Sequence, residues 1–374
     1  MRIGVNLLNF SEDRFGGVEQ YVKNLIWHLA NSQENVQVFL FLTRPFLDVF
    51  PNYHDRIKRV MVKHVIDPIQ IRKTILHNKL DLWFSPLHRS YIPDIPIPSV
   101  VTIHDLLHTS YPQYVSENLD YHNQYYQQYL PSFDAIITVS NFSKDTIMKH
   151  LHIPEEKVHV IYQDVPIGFE RVLDEGEIGS LKEKYKLPEV FGIYPASYNA
   201  HKNHLNLLKA ILFLREQHNK EIFLVLTGYT YKGNTVYQQV VNFLNEHHLE
   251  KQIKIVNYIP QREMYTLYSG ASFLVFPSLY EGFGIPLVEA MKAKCPIACS
   301  NRGSIPEIVG EAALQFNPEN VNEIAQQILQ VLELKTRVDL IEKSTEQVKQ
   351  FSWEKSVRKT LEVFNSVLQR GREQ

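Results

Sequence analysis

The stretch FPSLYEGFGIPLVEA, residues 276–290, decides how the rest of the chain is read. It grows out of an apolar run, Phe273–Val275, that reads as a buried strand, and it runs into a helical pattern over Gly284–Lys292. Gly282 and Gly284 flank Phe283 just before that helix, so backbone amides there can approach a ligand without side-chain obstruction. Pro286 suits the first helical turn, where its missing N–H costs nothing. The product is an exposed helix N-terminus, suited to an anionic phosphate. Glu289, inside the helix, is placed to accept hydrogen bonds from two adjacent hydroxyls, while Glu281 sits on the loop leading in. A carboxylate reading vicinal hydroxyls beside a phosphate site points to a nucleotide ribose. The bland alternative is a glutamate that only complements the helix dipole.

Outward from this stretch, short β-branched and apolar runs alternate with longer amphipathic segments, the pattern of parallel sheets covered by helices. In the first half, strands are expected near Ile3–Leu8, Val36–Leu42, Asp81–Ser85, Ser99–Ile103, Ala135–Val139 and Val158–Ile161. Helices are expected over Val18–Asn31, Tyr114–Leu130 and Phe142–Leu151. The second half repeats the theme with strands near Phe191–Tyr194, Ile222–Leu226, Ile253–Val256, Phe273–Val275, Ile297–Cys299 and Leu314–Phe316. Its helices are His204–Gln217, Val236–Glu246, Gly284–Lys292, Val321–Leu334 and Trp353–Leu368. Periodicity lapses over Tyr162–Gly179, where Pro166, Gly168, Gly176 and Gly179 cluster, and a hinge between two Rossmann-like α/β domains is the economical reading. In such open sheets, ligands bind beyond the carboxyl ends of the strands.

The 374 residues fit two domains better than one or four. With 39 Lys+Arg against 41 Asp+Glu, the net charge of -2 excludes a global basic field for nucleic acid or anionic lipid. Cys295 and Cys299 lack the second Cys/His pair of a structural zinc site and read as core residues of a reduced, cytoplasmic protein. No apolar run reaches the roughly 18 residues of a membrane span, and the N-terminal MRIGVNLLNF reads as a first strand rather than a secretory signal.

Glu281 and Glu289, separated by seven residues in the setting EGFGIPLVE, resemble the E-x7-E motif of retaining glycosyltransferases of the GT-B fold, specifically family 4. The resemblance extends along nearly the whole chain. It implies an acceptor-side Rossmann-like domain over residues 1–165, a nucleotide-sugar-binding domain over 166–352, and a C-terminal helix over 353–374 crossing back to the first domain. Phe15-Gly16-Gly17-Val18-Glu19 is similar to the family's glycine pair opening a helix after the first strand, with Gly17 expected at the donor. A GxGxxG fingerprint is absent, which argues against a dinucleotide-dependent dehydrogenase. VVTIHDLLH, residues 100–108, places His104 at a strand's carboxyl end, where the family keeps a sugar-contacting histidine. There it can present a donor to a hydroxyl, its other nitrogen held by a neighbour. His108 reads as structural.

In GIYPASYNAHKNHLNLLKAI, residues 192–211, Lys202-Asn203 matches the family's phosphate lysine, a role its compact ammonium suits. Ala196-Ser197 replaces the usual Gly-Arg, which costs the phosphates one fixed positive charge, and His201 is the candidate to contribute there. Asn257-Tyr258-Ile259-Pro260 corresponds to the segment that holds the base through its backbone, at Ile259. Asn301-Arg302-Gly303-Ser304-Ile305-Pro306-Glu307 precedes a short helix, with Glu307 read as a structural cap or local ion-pair partner. The implied donor-binding set is thus Gly17, Ser197, Lys202, Ile259, Gly282, Phe283, Gly284 and Glu289, and the implied catalytic set His104, Glu281 and Lys202.

The resemblance implies transfer of a hexose, with retention, from a nucleoside diphosphate sugar to a hydroxyl of a glycan or lipid-linked acceptor, with no metal or other cofactor. Ser197, Lys202 and VVTIHD look most like mannosyl- and rhamnosyltransferases, which favours GDP-mannose as donor. The alternatives are a nucleotide-sugar epimerase on the same fold and a non-catalytic nucleotide-sugar-binding paralogue. A basic set over Asp55–Lys79 (Arg56, Lys58, Arg59, Lys63, Arg72, Lys73 and Lys79, opposed by Asp55 and Asp67) reads either as a solvated face or as a peripheral contact with an anionic membrane.

Overall fold

The structure, a computed structural model, describes residues 1–8, 10, 16–43, 50, 54–62, 67–88, 90, 92, 94–115 and 119–373. Phe15 and Lys63, both named above, lie outside the described residues. The chain divides into two compact units, Met1–Asp164 with Phe351–Gln374, and Val165–Gln350.

The first unit contains β1 (Arg2–Asn6), β2 (Gln37–Thr43), β3 (Ile57–Val62), β4 (Leu82–Ser85), β5 (Ser99–Thr102), β6 (Ala135–Thr138) and β7 (Val158–Val160). Every neighbouring pair is parallel, in the order β3-β2-β1-β4-β5-β6-β7. The strands LWFS, SVVT and AIIT are buried throughout, because helices cover both faces and leave no solvated side to alternate with. Those helices are α1 (Gly17–Ala30), α2 (Pro68–His77), α3 (Leu107–Ser110), α4 (Leu119–Tyr129), α5 (Asn141–Leu151) and the C-terminal helix Trp353–Glu373. Val22, Leu25 and Leu29 of α1 pack in one core with Trp353, Val357, Leu361, Phe364 and Val367 of the C-terminal helix. The opposite face is filled by α2 through Ile71 and Ile75, and by a separate cluster around Tyr125, Tyr126 and Ile147.

The second unit repeats the plan with β8 (Gly192–Pro195), β9 (Leu224–Thr227), β10 (Ile253–Val256), β11 (Phe273–Phe276), β12 (Ile297–Ser300) and β13 (Ala313–Phe316), ordered β10-β9-β8-β11-β12-β13 and again parallel. Its helices are α6 (Glu177–Tyr185), α7 (His204–His218), α8 (Thr235–Glu246), α9 (Gln261–Gly270), α10 (Ile285–Lys292), α11 (Ile305–Val309), α12 (Val321–Val331) and α13 (Leu334–Gln347). In each sheet the winding direction reverses once, between β1 and β4 and between β8 and β11. Loops leaving the carboxyl ends of those strands diverge and open a crevice.

The predicted strands fall within one or two residues of the observed ones, but six of the elements named above were not expected. Edge strand β3, IKRVMV, carries two adjacent charges, α2 lies in the stretch read only as basic surface, and the four-residue α3 follows the segment that holds His104. Helix α6 starts at Glu177, so the lapse in periodicity is shorter than the sequence suggests. Helices α9 and α13 carry few apolar residues, and the helix expected to end at Leu334 stops at Val331, with α13 following. The helix expected over Tyr114–Leu130 is a short turn at Pro112–Tyr114 and then α4, with 116–118 outside the described residues. Cys295 and Cys299 are buried free thiols, as expected of core positions.

Candidate functional site

The reversal between β8 and β11 explains why two distant segments meet. These strands pair in parallel, Phe273 opposite Gly192 and Leu274 opposite Ile193, so the loops after both leave from the same edge. The loop after β8 carries Lys202 and the loop after β11 carries Glu281. Their side chains form an ion pair, Nζ to Oε1 at 2.7 Å, with only 17% and 11% of their surfaces exposed. A pair so withdrawn from water is held by its surroundings rather than by its own attraction. The hydroxyl of Tyr194, on β8, donates to the Lys202 carbonyl at 2.5 Å. Asn203, with a left-handed φ of 62°, donates through its side chain to the carbonyls of Pro277 and Pro318. The Leu279 amide donates to the His201 carbonyl at 2.8 Å.

The Glu281 loop is anchored from a third segment. Ser304, fully buried, donates its hydroxyl to the carbonyls of Glu281 and Phe283, both at 3.0 Å. Beside it Gly303 has φ 63°, and an added Cβ would lie 3.0 Å from the Glu281 amide nitrogen and carbonyl oxygen. Gly303 and Ser304 position Glu281, and the sequence reading passed over both for Glu307, which lies in the first turn of α11. Gly284 caps α10 at φ 96°, a conformation that side chains with a Cβ rarely adopt. Phe283 is buried beside it and Pro286 lies in the first turn.

Glu289 faces inward from α10 and is 7% exposed. It accepts a hydrogen bond from the Tyr268 hydroxyl at 2.8 Å, so one carboxylate oxygen is already engaged. Burial pushes its carboxyl up to about 7, against which the Tyr268 bond acts. Ser197 accepts from the Asn199 side chain at 3.1 Å, and Ile259 is buried just before α9. His201 corrects an expectation. Burial and the neighbouring Lys202 hold its imidazole down to about 3, so it is neutral and supplies no second cation. His204 is neutral for the same reasons.

In the first unit, His104 follows β5 and its Nε2 lies 3.1 Å from the carbonyl oxygen of Pro86, which follows the adjacent β4. A carbonyl only accepts, so Nε2 carries the proton. Burial first, then His88, holds the ring down to about 3, and a neutral ring leaves Nδ1 as an acceptor. The sequence expectation of a free donor is therefore reversed, although the neighbour that holds the other nitrogen is present. Tyr21 of α1 sets the ring's tilt, edge-on with centroids 4.7 Å apart. Gly17 opens α1 with open space around it, while the Gly16 amide donates to the Glu19 carboxylate at 3.0 Å. That carboxylate brings negative charge to a helix start expected to attract an anion.

Of the basic set, Arg56 donates to the Ser32 and Glu34 carbonyls, Lys58 lies over the Phe39 ring, and Arg72 pairs with Asp94. These three are committed within the unit. On α2, Ile69 and Leu76 are 63% and 58% exposed. Among the described residues no helix is long and apolar enough to cross a membrane, and no group of three or more His, Cys, Asp or Glu is spaced to hold a metal ion.

Known proteins resemble this arrangement along its whole length. The family described as "Glycosyltransferase Family 4" matches residues 15–166, and the family described as "Glycosyl transferases group 1" matches residues 180–347. The chain is 28% identical over 368 residues to "O-antigen chain mannosyltransferase B" of Escherichia coli, covering 93% of this chain and 95% of that one. Among solved structures, a glycosyltransferase from Rickettsia africae ESF-5 superposes with a TM-score of 0.78 at 18% identity, covering 98% of both chains. Anabaena Alr3699/HepE in complex with UDP and glucose gives 0.78 at 17% identity, covering 98% of this chain and 100% of that one. Two Rossmann-like units of GT-B type, each matched by its own family, place this chain among the group 1 glycosyltransferases.

Proposed function

We propose that the protein transfers a mannosyl residue, with retention, from a nucleoside diphosphate sugar to a hydroxyl of a growing glycan, GDP-mannose being the favoured donor. The observation that carries this reading is the Lys202–Glu281 pair at 2.7 Å beside the glycine-opened start of α10. Likeness to a mannosyltransferase over 93% of the chain supports the sugar. Lys202 and the first amides of α10 meet the departing diphosphate, whose negative charge grows as the glycosidic bond breaks. On donor binding the Lys202 ammonium is shared between phosphate and Glu281, and Glu281 is kept in place to orient the sugar. Glu289 accepts from the ribose hydroxyls, and His104 accepts from a sugar hydroxyl through Nδ1.

The acceptor attacks from the face that the diphosphate leaves, and the leaving phosphate oxygen takes the acceptor proton. This route asks for no metal, so activity is expected to survive chelator treatment. A lipid-linked acceptor accounts for α2, whose exposed Ile69 and Leu76 are accompanied by Lys73 and Lys79. A thermal-shift screen of GDP, UDP and ADP sugars tests the donor, because a bound ligand raises apparent stability by mass action. GDP-mannose is expected to give the largest shift, and transfer is then scored with a manno-oligosaccharide acceptor. A larger shift with another donor overturns the assignment of the sugar.

A further inference from the structure

Glu289 does not stand alone in the C-terminal unit. The hydroxyl of Tyr268, on α9, donates to its Oε2 at 2.8 Å, and the tyrosine is wholly buried. Burial and the adjacent Glu289 push the phenol well above its ordinary value, so it keeps its proton and remains a donor. As a stabilising device this pair is a poor one. A carboxyl and a phenol are both withdrawn from water for one hydrogen bond, and apolar side chains of the same volume would fill the space at less cost. What the bond does for the carboxylate explains it better. An ionised carboxylate offers about four acceptor sites, of which Tyr268 takes one, fixing the group's plane and leaving the others for hydroxyls.

The tyrosine ring is itself held. Helix α9 packs against α10, and the segment just before α6 is fastened to both. Phe169, buried, meets Tyr268 edge-on with centroids 6.0 Å apart and Tyr265 at 5.4 Å. The next residue, Glu170, pairs with Lys292 at the end of α10 at 2.8 Å, and Arg171 donates to the Thr266 hydroxyl of α9 at 2.7 Å. Residues 169–171 therefore bind α9 and α10 together around the Tyr268–Glu289 bond, and an edge-on aromatic contact restricts how far the Tyr268 ring can tilt.

We infer that Tyr268 is a positioning residue of the nucleotide site, fixing the Glu289 carboxylate toward the ribose hydroxyls, with Phe169 fixing Tyr268 in turn. This rests on the ribose role proposed for Glu289. Wholly buried, Tyr268 reaches a ligand only through that carboxylate. Its effect is therefore confined to ligands that carry the hydroxyls, which separates positioning from a general contribution to the fold. Because it donates to the carboxylate, it also favours the ionised form against the burial that opposes it.

The test is calorimetry on the full-length protein with whichever of GDP, UDP and ADP raises its melting temperature most, set against the dideoxy form of the same nucleotide, which lacks both ribose hydroxyls. Wild type is expected to prefer the ribonucleotide about tenfold or more. Tyr268→Phe is expected to lose most of that preference, the ribonucleotide weakening about tenfold while the dideoxy form binds as before. In transfer assays the loss falls on the donor KM with kcat kept, the mark of binding shared by ground and transition states. Phe169→Leu, which unseats the ring but keeps its hydroxyl, is expected to narrow the preference about threefold and decides the matter if Tyr268→Phe does not fold. An unchanged preference in the deciding variant overturns the inference. Equal weakening of both ligands does so too, because a merely structural tyrosine would act on both. A wild type that binds the two forms equally removes instead the ribose role of Glu289, and the inference falls with it.

Discussion

The two sheets reverse winding in the same way, yet the side chains at the two reversals differ in kind. Between β8 and β11 the site is ionic, built on Lys202 and Glu281. Around β1 and β4 the bonded polar groups named here, all among the described residues, are uncharged. Asn6 donates to Ser85 at 3.2 Å and to Ser90 at 3.4 Å, and beside them His104 is neutral and bonded to Pro86. Topology dictates where a ligand can sit, and the side chains at that place dictate its chemistry. An ion pair suits a diphosphate, whereas neutral donors and acceptors suit hydroxyl groups.

The sharpest way to break this contrast is Lys202→Met, expected to lower turnover about a hundred- to a thousandfold in steady-state transfer assays. If Lys202 only neutralises Glu281, adding Glu281→Gln restores affinity for the nucleoside diphosphate by calorimetry. If Lys202 meets the diphosphate, it does not. A comparable energy resides in Glu289, and its sign is testable. Its carboxyl is raised from 4.5 to about 7 in the folded protein, so its contribution to stability is whole below pH 4.5 and lost as pH rises through about 7. Denaturant titrations should show on the order of 3 kcal/mol of this loss in the wild type and none in Glu289→Gln. Nucleotide affinity should rise over the same interval, because the ionised carboxylate is the better acceptor.

On the uncharged side, His104→Ala is expected to cost about tenfold in turnover, the worth of a neutral hydrogen bond, with nucleotide affinity by calorimetry unchanged. An equal loss of nucleotide affinity would erase the distinction between the two reversals. Ser304→Ala should cost about fivefold in turnover by loosening Glu281, with little change in nucleotide binding. The smallest effect belongs to α2. Co-sedimentation with anionic vesicles at low salt is expected to weaken in Lys73→Glu with Lys79→Glu, each lysine contributing about 1 kcal/mol. Absence of wild-type co-sedimentation removes the membrane from the account.

The strands of both sheets were legible in the sequence because doubly covered parallel strands are unbroken apolar runs, as in LWFS and AIIT. Strand β3 was missed because an edge strand tolerates charges such as Lys58 and Arg59. Helices α9 and α13 were missed because each buries only a narrow strip. In the C-terminal site, Glu281 and Lys202 stood out because motif spacing marks them. Tyr194, Tyr268 and Ser304 did not, because they act through contacts 8 to 23 residues away in the chain and mostly on backbone carbonyls, which leave no local pattern. The state of His201 depends on how deeply it is buried, which a sequence does not display.

The C-terminal helix has a consequence for how the protein is made. Trp353, Phe364 and Val367 complete the core beneath β1 and β2, so the first unit synthesised is the last that can be finished. Residues 165–350 form a continuous unit and emerge from the ribosome with everything their own sheet requires. The first unit must wait, with an apolar face uncovered, until some two hundred further residues have been added. A premature stop before Trp353 would therefore damage the end of the protein that was translated first.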